Sequence, residues 1–287
     1  MAGGANGNSG TGGPAGPMAD LKLRFISALI LGPLVLLIAW RGGEAFFALA
    51  LLGCALFLKE WLAIVGARPA GLPALAGFAT LLAVAGLIYA GLELWALAAL
   101  AAGAGLSILS ARAGKTGFWT AEGILYSSLA LGALMLVRRG SEGELHIFFL
   151  LAVVWVTDVA AYFTGRKLGG PKLWPRVSPK KTWSGAIGGL IFGALGGLGV
   201  VAVLGQGGTL SWFAFGLAVS AVSQGGDLLE SAIKRRFGVK DSGRLIPGHG
   251  GIMDRIDGLV AAAIFAVLCG LLFGGSLADP MSGIGFQ

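Results

Sequence analysis

The sequence predicts an all-α, polytopic integral membrane protein with about nine transmembrane helices. Three observations predict it. Apolar residues make up 56% of the 287 and charged residues only 12%, with a mean hydropathy of +0.83, too apolar a balance for a soluble chain. The apolar residues gather in stretches of bilayer-spanning length, a helix needing about 20 residues to cross roughly 30 Å of hydrocarbon. The basic residues gather in every second connection between those stretches, the pattern that orients membrane helices.

Residues 1–19, MAGGANGNSGTGGPAGPMA, are rich in Gly, Asn and Pro and hold no apolar run. They read as a disordered tail, since a signal peptide needs a basic start and an apolar core. Apolar spans follow at about 25–40, 45–65, 72–90, 92–110, 119–137, 146–165, 183–204, 210–233 and 256–274. The first is short for a bilayer, and extending it back through Leu21 supplies the missing length. Most spans are rich in Gly and Ala, which lets membrane helices approach closely. Cys54 and Cys269 both fall inside spans and read as small packing residues rather than a disulfide.

With the N-terminus inside, the cytoplasmic connections carry Lys22 and Arg24; Lys59 and Arg68; Arg112 and Lys115; Arg166, Lys167, Lys172, Arg176, Lys180 and Lys181; and Lys234, Arg235, Arg236, Lys240, Arg244 and Arg255, together 18 of the 21 Lys and Arg. Only Arg41, Arg138 and Arg139 are left for the other side. Nine crossings satisfy this split, with the C-terminus outside; eight or ten would place one of the two most basic loops wrongly. The net charge of +7 therefore reflects topology and calls for no nucleic-acid partner.

One stretch breaks the apolar pattern. Gly225 to Gly258, GGDLLESAIKRRFGVKDSGRLIPGHGGIMDRIDG, holds five of the 14 carboxylates: Asp227, Glu230, Asp241, Asp254 and Asp257. Carboxylates among Lys, Arg and glycine turns suit a Mg²⁺–polyphosphate complex, which needs hard oxygen ligands for the metal and cations plus free N–H groups for the phosphates. In a helix, Asp227, Ser231 and Lys234 share one face, as do Asp254 and Asp257 at the head of the next. Asp158 stands inside the sixth span, in VWVTDVAAYFTG, and a carboxylate at membrane depth is costly enough to mark a functional candidate. At 1.5 Å per residue, Asp158 and Asp227 each lie roughly 10 Å from the cytoplasmic ends of their helices, so they stand at similar depth. An acidic cluster from three helices follows, neutralised by a divalent cation. Structural alternatives stay open for Asp158 (a pair with a lysine, or Tyr162) and for Asp257 (a pair with Arg255). Glu60, beside Trp61, reads as an interfacial charge, and Glu122 as structural.

The same stretch resembles the signature of phosphatidate cytidylyltransferases (CDP-diacylglycerol synthases), S-x-x-K-R-x4-K-D-x6-G-H-G-G-x2-D-R-x-D. Ser231, Lys234, Arg235, Lys240, Asp241, Gly248, His249, Gly250, Gly251, Asp254, Arg255 and Asp257 match it without a gap. The loop from Arg166 to Trp183 adds Ser178-Pro179-Lys180-Lys181-Thr182, which resembles a second motif of the family, S-P-K-K-T-x-E-G, with Ser184 in place of the acidic residue. The resemblance covers roughly 150–275; the N-terminal half agrees only in being a bundle of apolar helices. Composition and resemblance together divide the chain into a tail (1–19), an N-terminal set of transmembrane helices (20–140) and a C-terminal transmembrane catalytic region (141–287).

The resemblance further implies transfer of CMP from CTP to phosphatidate, with release of pyrophosphate, in phospholipid biosynthesis. It points to Asp227, Lys234, Arg235 and Asp254 as catalytic, and to Ser178, Lys180, Lys181, Thr182, Ser231, Lys240, His249 and Arg255 as the phosphate-binding set. Asp227 and Asp254 are the leading metal ligands, with Asp158 and Asp257 beside them, for Mg²⁺ and room for a second cation. CTP, phosphatidate and membrane lipids are the partners, a homodimer is compatible, and the place is the bacterial cytoplasmic (inner) membrane with the site facing the cytoplasm. Two other readings use the same residues: a CTP-dependent kinase acting on a polyprenol or other lipid, and a cation-coupled transporter using Asp158 and Asp227. A transporter has no need of a loop rich in Lys, Arg, Gly and His beside its carboxylates. The D-G-x2-A-R-x8-G-x3-D-x3-D pattern of CDP-alcohol phosphotransferases is absent.

Overall fold

The computed structural model describes residues 17–68, 71–110, 115–204, 207–243, 245 and 250–284. Residues 1–16 of the expected tail, Arg112, Arg244, Gly248, His249 and Gln287 lie outside the described residues. The helices are α1 (Pro17–Arg41), α2 (Gly43–Ile64), α3 (Leu72–Tyr89), α4 (Glu93–Ser110), α5 (Lys115–Arg139), α6 (Gly143–Leu168), α7 (Trp183–Val203), α8 (Thr209–Arg236) and α9 (Met253–Leu272). A short hairpin, β1 (Lys172–Trp174) with β2 (Ser178–Thr182), and a final 3₁₀ turn, Pro280–Ile284, complete the described elements.

Helix dominates because the backbone polar groups must be satisfied within each segment where no water can reach them. Among the described residues six helices are long and apolar enough to cross a membrane: α2, α3, α5, α6, α7 and α9. The apolar parts Leu29–Arg41 of α1 and Glu93–Leu109 of α4 are shorter. The 28-residue α8 is about 42 Å long at 1.5 Å per residue. It outreaches the hydrocarbon layer, and its polar end, Lys234–Arg236, projects beyond. Helix α1 begins at Pro17, inside the stretch assigned to the tail, with proline at the first helical turn where its missing N–H costs nothing.

Successive helices run up and down, so the connections collect at two ends. One end holds the turn at Gly42, the α3–α4 corner, the α5–α6 corner and the 3₁₀ turn. Here Arg138 donates to the carbonyls of Ala39 at 2.7 Å and Trp40 at 2.8 Å. Arg139 donates to Ile88 at 2.5 Å and pairs with Glu93. These carbonyls are the last of α1 and α3, which no intrahelical N–H can reach. Gly42 has φ 65°, and a Cβ there would run into the Arg138 guanidinium.

Between the ends, α6 and α7 pack at near-backbone contact. Gly185, Gly189, Gly193 and Gly197 recur every fourth residue along α7 and are buried against α6. A Cβ would lie 2.8 Å from the Ala161 carbonyl at Gly185 and 3.0 Å from that of Thr157 at Gly189. Small residues replace hydrophobic collapse as the means of association where lipid is as apolar as the protein. A hydrogen bond between Thr157 and Ser220, 2.7 Å and fully buried, ties α6 to α8. That tie brings the helices of Asp158 and Asp227 together.

Candidate active site

The other end of the bundle gathers the C-terminal ends of α2, α6 and α8, the hairpin and the head of α9. The basic loop from Arg166 to Trp183 is an antiparallel hairpin rather than an irregular connection, with Lys172 opposite Thr182 and Trp174 opposite Ser178. Side chains alternate along a strand, so the adjacent Lys180 and Lys181 face opposite ways. Lys180 is exposed, while Lys181 points inward and donates to Asp227 at 2.6 Å. Thr182 caps α7, accepting from the Gly185 N–H at 3.1 Å. Ser184 donates to the Gly169 carbonyl, so the hydroxyl that replaces the motif's acidic residue staples the loop to the end of α6. The hairpin is docked on α8 through Arg235, whose Nε donates to the Val177 carbonyl at 3.4 Å.

Asp227, Glu230 and Asp257 each bring a carboxylate oxygen within 4.8 Å of the others. Asp227 and Glu230 lie one turn apart on α8, and Asp257 faces them from the first turns of α9. Asp257 accepts the Gly258 N–H at 2.8 Å. Asp158 joins the same electrostatic field, acted on by Asp227, Lys181 and Arg255. Ser231 donates to Asp227 at 3.4 Å. One oxygen of Glu230, Oε1, is buried with no hydrogen-bond partner. A buried carboxylate oxygen left without a donor is costly, and a hard cation relieves that cost. Among the described residues, five carboxylates (Asp158, Asp227, Glu230, Asp254, Asp257) stand here with three cations acting on them (Lys181, Lys234, Arg255), an excess of negative charge that suits a divalent ion. The donor set fits a metal ion.

Asp254 was expected to stand beside Asp227, and the structure gives it other company. Its Oδ1 receives Lys234 at 2.5 Å, and its Oδ2 receives the backbone N–H groups of Gly251 at 3.1 Å and Ser242 at 3.2 Å. Lys234 spans the gap, pairing also with Glu230 at 2.7 Å. Asp254 therefore meets the acidic cluster through a lysine. Gly250 makes this turn possible: its φ is +84°, and a Cβ there would sit 3.1 Å from Asp254 Oδ2. Lys240, Asp241 and Arg255 are exposed around the rim, and Ser178 is half-buried.

Two carboxylates matter more here than the sequence suggested. Glu230 carries an i, i+4 signal to Lys234, so its position was readable and its role was not. Glu60 gave no local signal at all. Buried at the end of α2, it accepts from Ser242 Oγ at 2.8 Å and from the backbone N–H groups of Ile252 at 3.0 Å and Met253 at 2.8 Å. It thus caps the N-terminus of α9, where negative charge is favoured. A Cβ at Gly243 would lie 2.5 Å from Glu60 Oε1, and one at Gly251 would also collide with the carboxylate. These glycines keep the loop backbone against a side chain more than 180 residues earlier.

A family model described as the cytidylyltransferase family matches residues 22–273. A phosphatidate cytidylyltransferase of Brucella suis biovar 1 (strain 1330) is 47% identical over 264 residues, 89% of this chain and 95% of that protein. One of Brucella abortus biovar 1 (strain 9-941) is 45% identical over 278 residues, 94% of this chain and all of that one. A third, from Staphylococcus saprophyticus, is 45% identical over 131 residues, 45% of this chain and 50% of its own length. The match runs through both the N-terminal helices and the carboxylate-bearing end, and the chain belongs to the cytidylyltransferase family.

Proposed function

We propose that this protein transfers CMP from CTP to phosphatidate, giving CDP-diacylglycerol and pyrophosphate, with Mg²⁺ held at the acidic cluster. The observation that carries the reading is a surplus of carboxylates, one oxygen of Glu230 left without a donor, beside lysines at the end of membrane helices. Two anions must meet for this reaction, a lipid phosphate and the α-phosphate of the nucleotide, so charge neutralisation is the main barrier. The phosphatidate oxygen is itself the nucleophile; it forms the new P–O bond while the bond from the α-phosphorus to the bridging oxygen breaks. No protein nucleophile is required.

Asp227, Glu230 and Asp257 would hold the metal as the helices stand, with Asp158 behind them. Asp254, favoured by the family signature, would join them only if Lys234 moved off its carboxylate. When bound, Mg²⁺ supplies positive charge to the reacting phosphate and the departing pyrophosphate. Lys181 leaves Asp227 for a phosphate oxygen, and Lys180, on the exposed face of β2, meets the outer phosphates. Ser178, Ser231 and Lys240 complete the polar rim, Thr182 holds the start of α7 beneath it, and Arg255 faces the lipid phosphate; His249 is assigned to phosphate binding from the family signature alone. Lys234 and Arg235 act differently in this reading: Lys234 bridges Glu230 and Asp254, and Arg235 holds the hairpin on α8. We place the site on the cytoplasmic face of the bacterial inner membrane, a reading supported by 18 of 21 basic residues on that side.

The test is pyrophosphate release from purified protein in detergent, with phosphatidate and each nucleoside triphosphate in turn. CTP alone should support release, and only with phosphatidate and Mg²⁺ present. Formation of CDP without pyrophosphate would make the protein a lipid kinase and overturn the reading.

A further inference from the structure

Between α1, α2, α6 and α9 lies an apolar cavity of about 560 Å³, whose one charged lining residue among the described residues is Arg255. Its volume falls within the roughly 300–1,000 Å³ of ligand pockets. It starts at the level of the carboxylates: Trp155, which lines it, precedes Asp158 by one turn, and Arg255 lies between Asp254 and Asp257. From there it follows α6 back to Ile147 and α2 back to Phe46, eight residues on each, or roughly 12 Å along the helix axes. Its long walls are hydrocarbon, and its charge sits only at the end that adjoins the acidic site.

Two lining residues are glycines, Gly32 and Gly53, and neither marks a close helix contact. Glycine in a membrane helix ordinarily marks a close approach of its neighbour, as the α6–α7 contact does. A Cβ on Gly32 would meet nothing within 4 Å, and one on Gly53 only Ile256 Cδ1 at 3.9 Å. These glycines pack against open space.

We propose that this cavity receives one acyl chain of the phosphatidate substrate, with Arg255 at its mouth receiving the lipid phosphate. The inference rests on the CMP-transfer reading and adds to it a place for the hydrocarbon. A positive charge at the site end of a hydrocarbon slot matches a phosphate-headed lipid, charge for charge and chain for chain. Seating the chain in protein gains little hydrophobic energy, since the bilayer is as apolar. Its effect is positional: a held chain fixes where the phosphate stands relative to Asp227.

The test fills the slot. Gly53→Leu and Gly32→Leu each add a side chain at a lining position where a Cβ meets nothing closer than 3.9 Å. For each variant kcat/KM is measured by pyrophosphate release with two phosphatidates, one bearing 18-carbon and one bearing 6-carbon chains. The ratio of long to short should fall roughly tenfold or more, the scale at which an apolar pocket discriminates by size, while turnover of the short lipid stays near wild type. An unchanged ratio would overturn the proposal and assign the cavity to bulk lipid, a second copy or another part of this chain. A variant that failed to fold would lose both activities, so the wild-type protein is also labelled with an 18-carbon phosphatidate carrying a photoreactive diazirine in mid-chain. Adducts on α1, α2, α6 or α9 peptides, competed by unlabelled phosphatidate, are expected; adducts confined to other helices would refute the site. Labelling needs no CTP and no turnover. A protein that labels in the slot yet releases no pyrophosphate would sink the CMP-transfer reading and leave the lipid site standing.

Discussion

The two ends of this bundle use charge in opposite ways. At the α5–α6 corner the arginines and Asp279 do structural work, although Asp279 Oδ1, like Glu230 Oε1 at the other end, is buried with no hydrogen-bond partner. Arg138 and Arg139 satisfy the last carbonyls of α1 and α3, Arg139 also pairs with Glu93, and Asp279 accepts from the Ser141 N–H at 3.0 Å. At the α8–α9 end the pairing is incomplete. Lys181 and Lys234 are matched, yet Asp227, Glu230 and Asp257 crowd within 4.8 Å, and Glu230 Oε1 has no donor. Charge that closes on itself holds a fold together. Charge left over at membrane depth is expensive, and it persists where a ligand completes it.

Substitutions at the two ends should therefore fail differently. The largest effect is expected at the cluster: Asp227→Asn should lower pyrophosphate release by a factor on the order of 10³ or more, with no loss of melting temperature in detergent. Glu230→Gln should behave alike and shift the Mg²⁺ titration. Asp254→Asn separates two ligand sets. If Asp254 only anchors Lys234, the variant melts lower and keeps wild-type Mg²⁺ dependence in its residual activity; a shifted Mg²⁺ dependence without lower melting would put Asp254 on the metal.

Next come the hairpin lysines. Lys180→Ala and Lys181→Ala should each raise the KM for CTP by roughly 10- to 150-fold, the worth of one charge-assisted contact, and leave the KM for phosphatidate nearly unchanged. If CTP kinetics were unaffected in a folded double variant, both lysines would return to orienting the loop.

Glu60→Ala tests whether the cap on α9 belongs with the site or with the scaffold. Three donors lose a charged acceptor, so a cost of about 3 kcal/mol in stability is expected, visible as a lower melting temperature. Activity should fall by about tenfold as the loop carrying Asp254 loosens. Glu60→Gln, which keeps the oxygen but not the charge, should recover much of both. The smallest effect on turnover is expected at the far end. Arg138→Met removes the donors to Ala39 and Trp40 and should cost about 2 kcal/mol in stability, with kcat and both KM values intact. A large kcat loss there would erase the distinction between the ends.

Much of this was legible in residue patterns because it depends on neighbours in sequence. Apolar runs of bilayer length, glycines every fourth residue in α7 and the i, i+4 relation of Glu230 to Lys234 are local periodicities, and helices follow local periodicity. The family signature likewise lay in one unbroken stretch, with Asp227 and Ser231 falling on one face as expected. The hairpin was missed because two short strands between membrane helices carry no periodic signal. The sequence also could not tell that Lys180 and Lys181, adjacent on a strand, face opposite ways, with Lys181 on Asp227. The expected count of nine crossings also rested on hydropathy: among the described residues six helices meet that measure, and α8 does not, its apolar part being interrupted by Ser, Gln and Gly.

By itself the sequence determined the all-helical membrane class, the end of the bundle that collects basic residues, and the residues from which a polyphosphate site is built. These follow from hydropathy, backbone hydrogen bonding and charge, each additive along the chain. Only the tertiary structure decided which carboxylates meet. Glu60 reached Met253 across the whole N-terminal half, Lys181 found Asp227 from a strand, and Asp254 went to Lys234 instead of Asp227. Such pairings depend on helix rotation and on the depth at which helices pack, and a shift of one residue turns a helical side chain by about 100°. No local pattern encodes that angle; the glycine contacts of α6 with α7 and the Thr157–Ser220 bond do, by leaving the helices one way to fit.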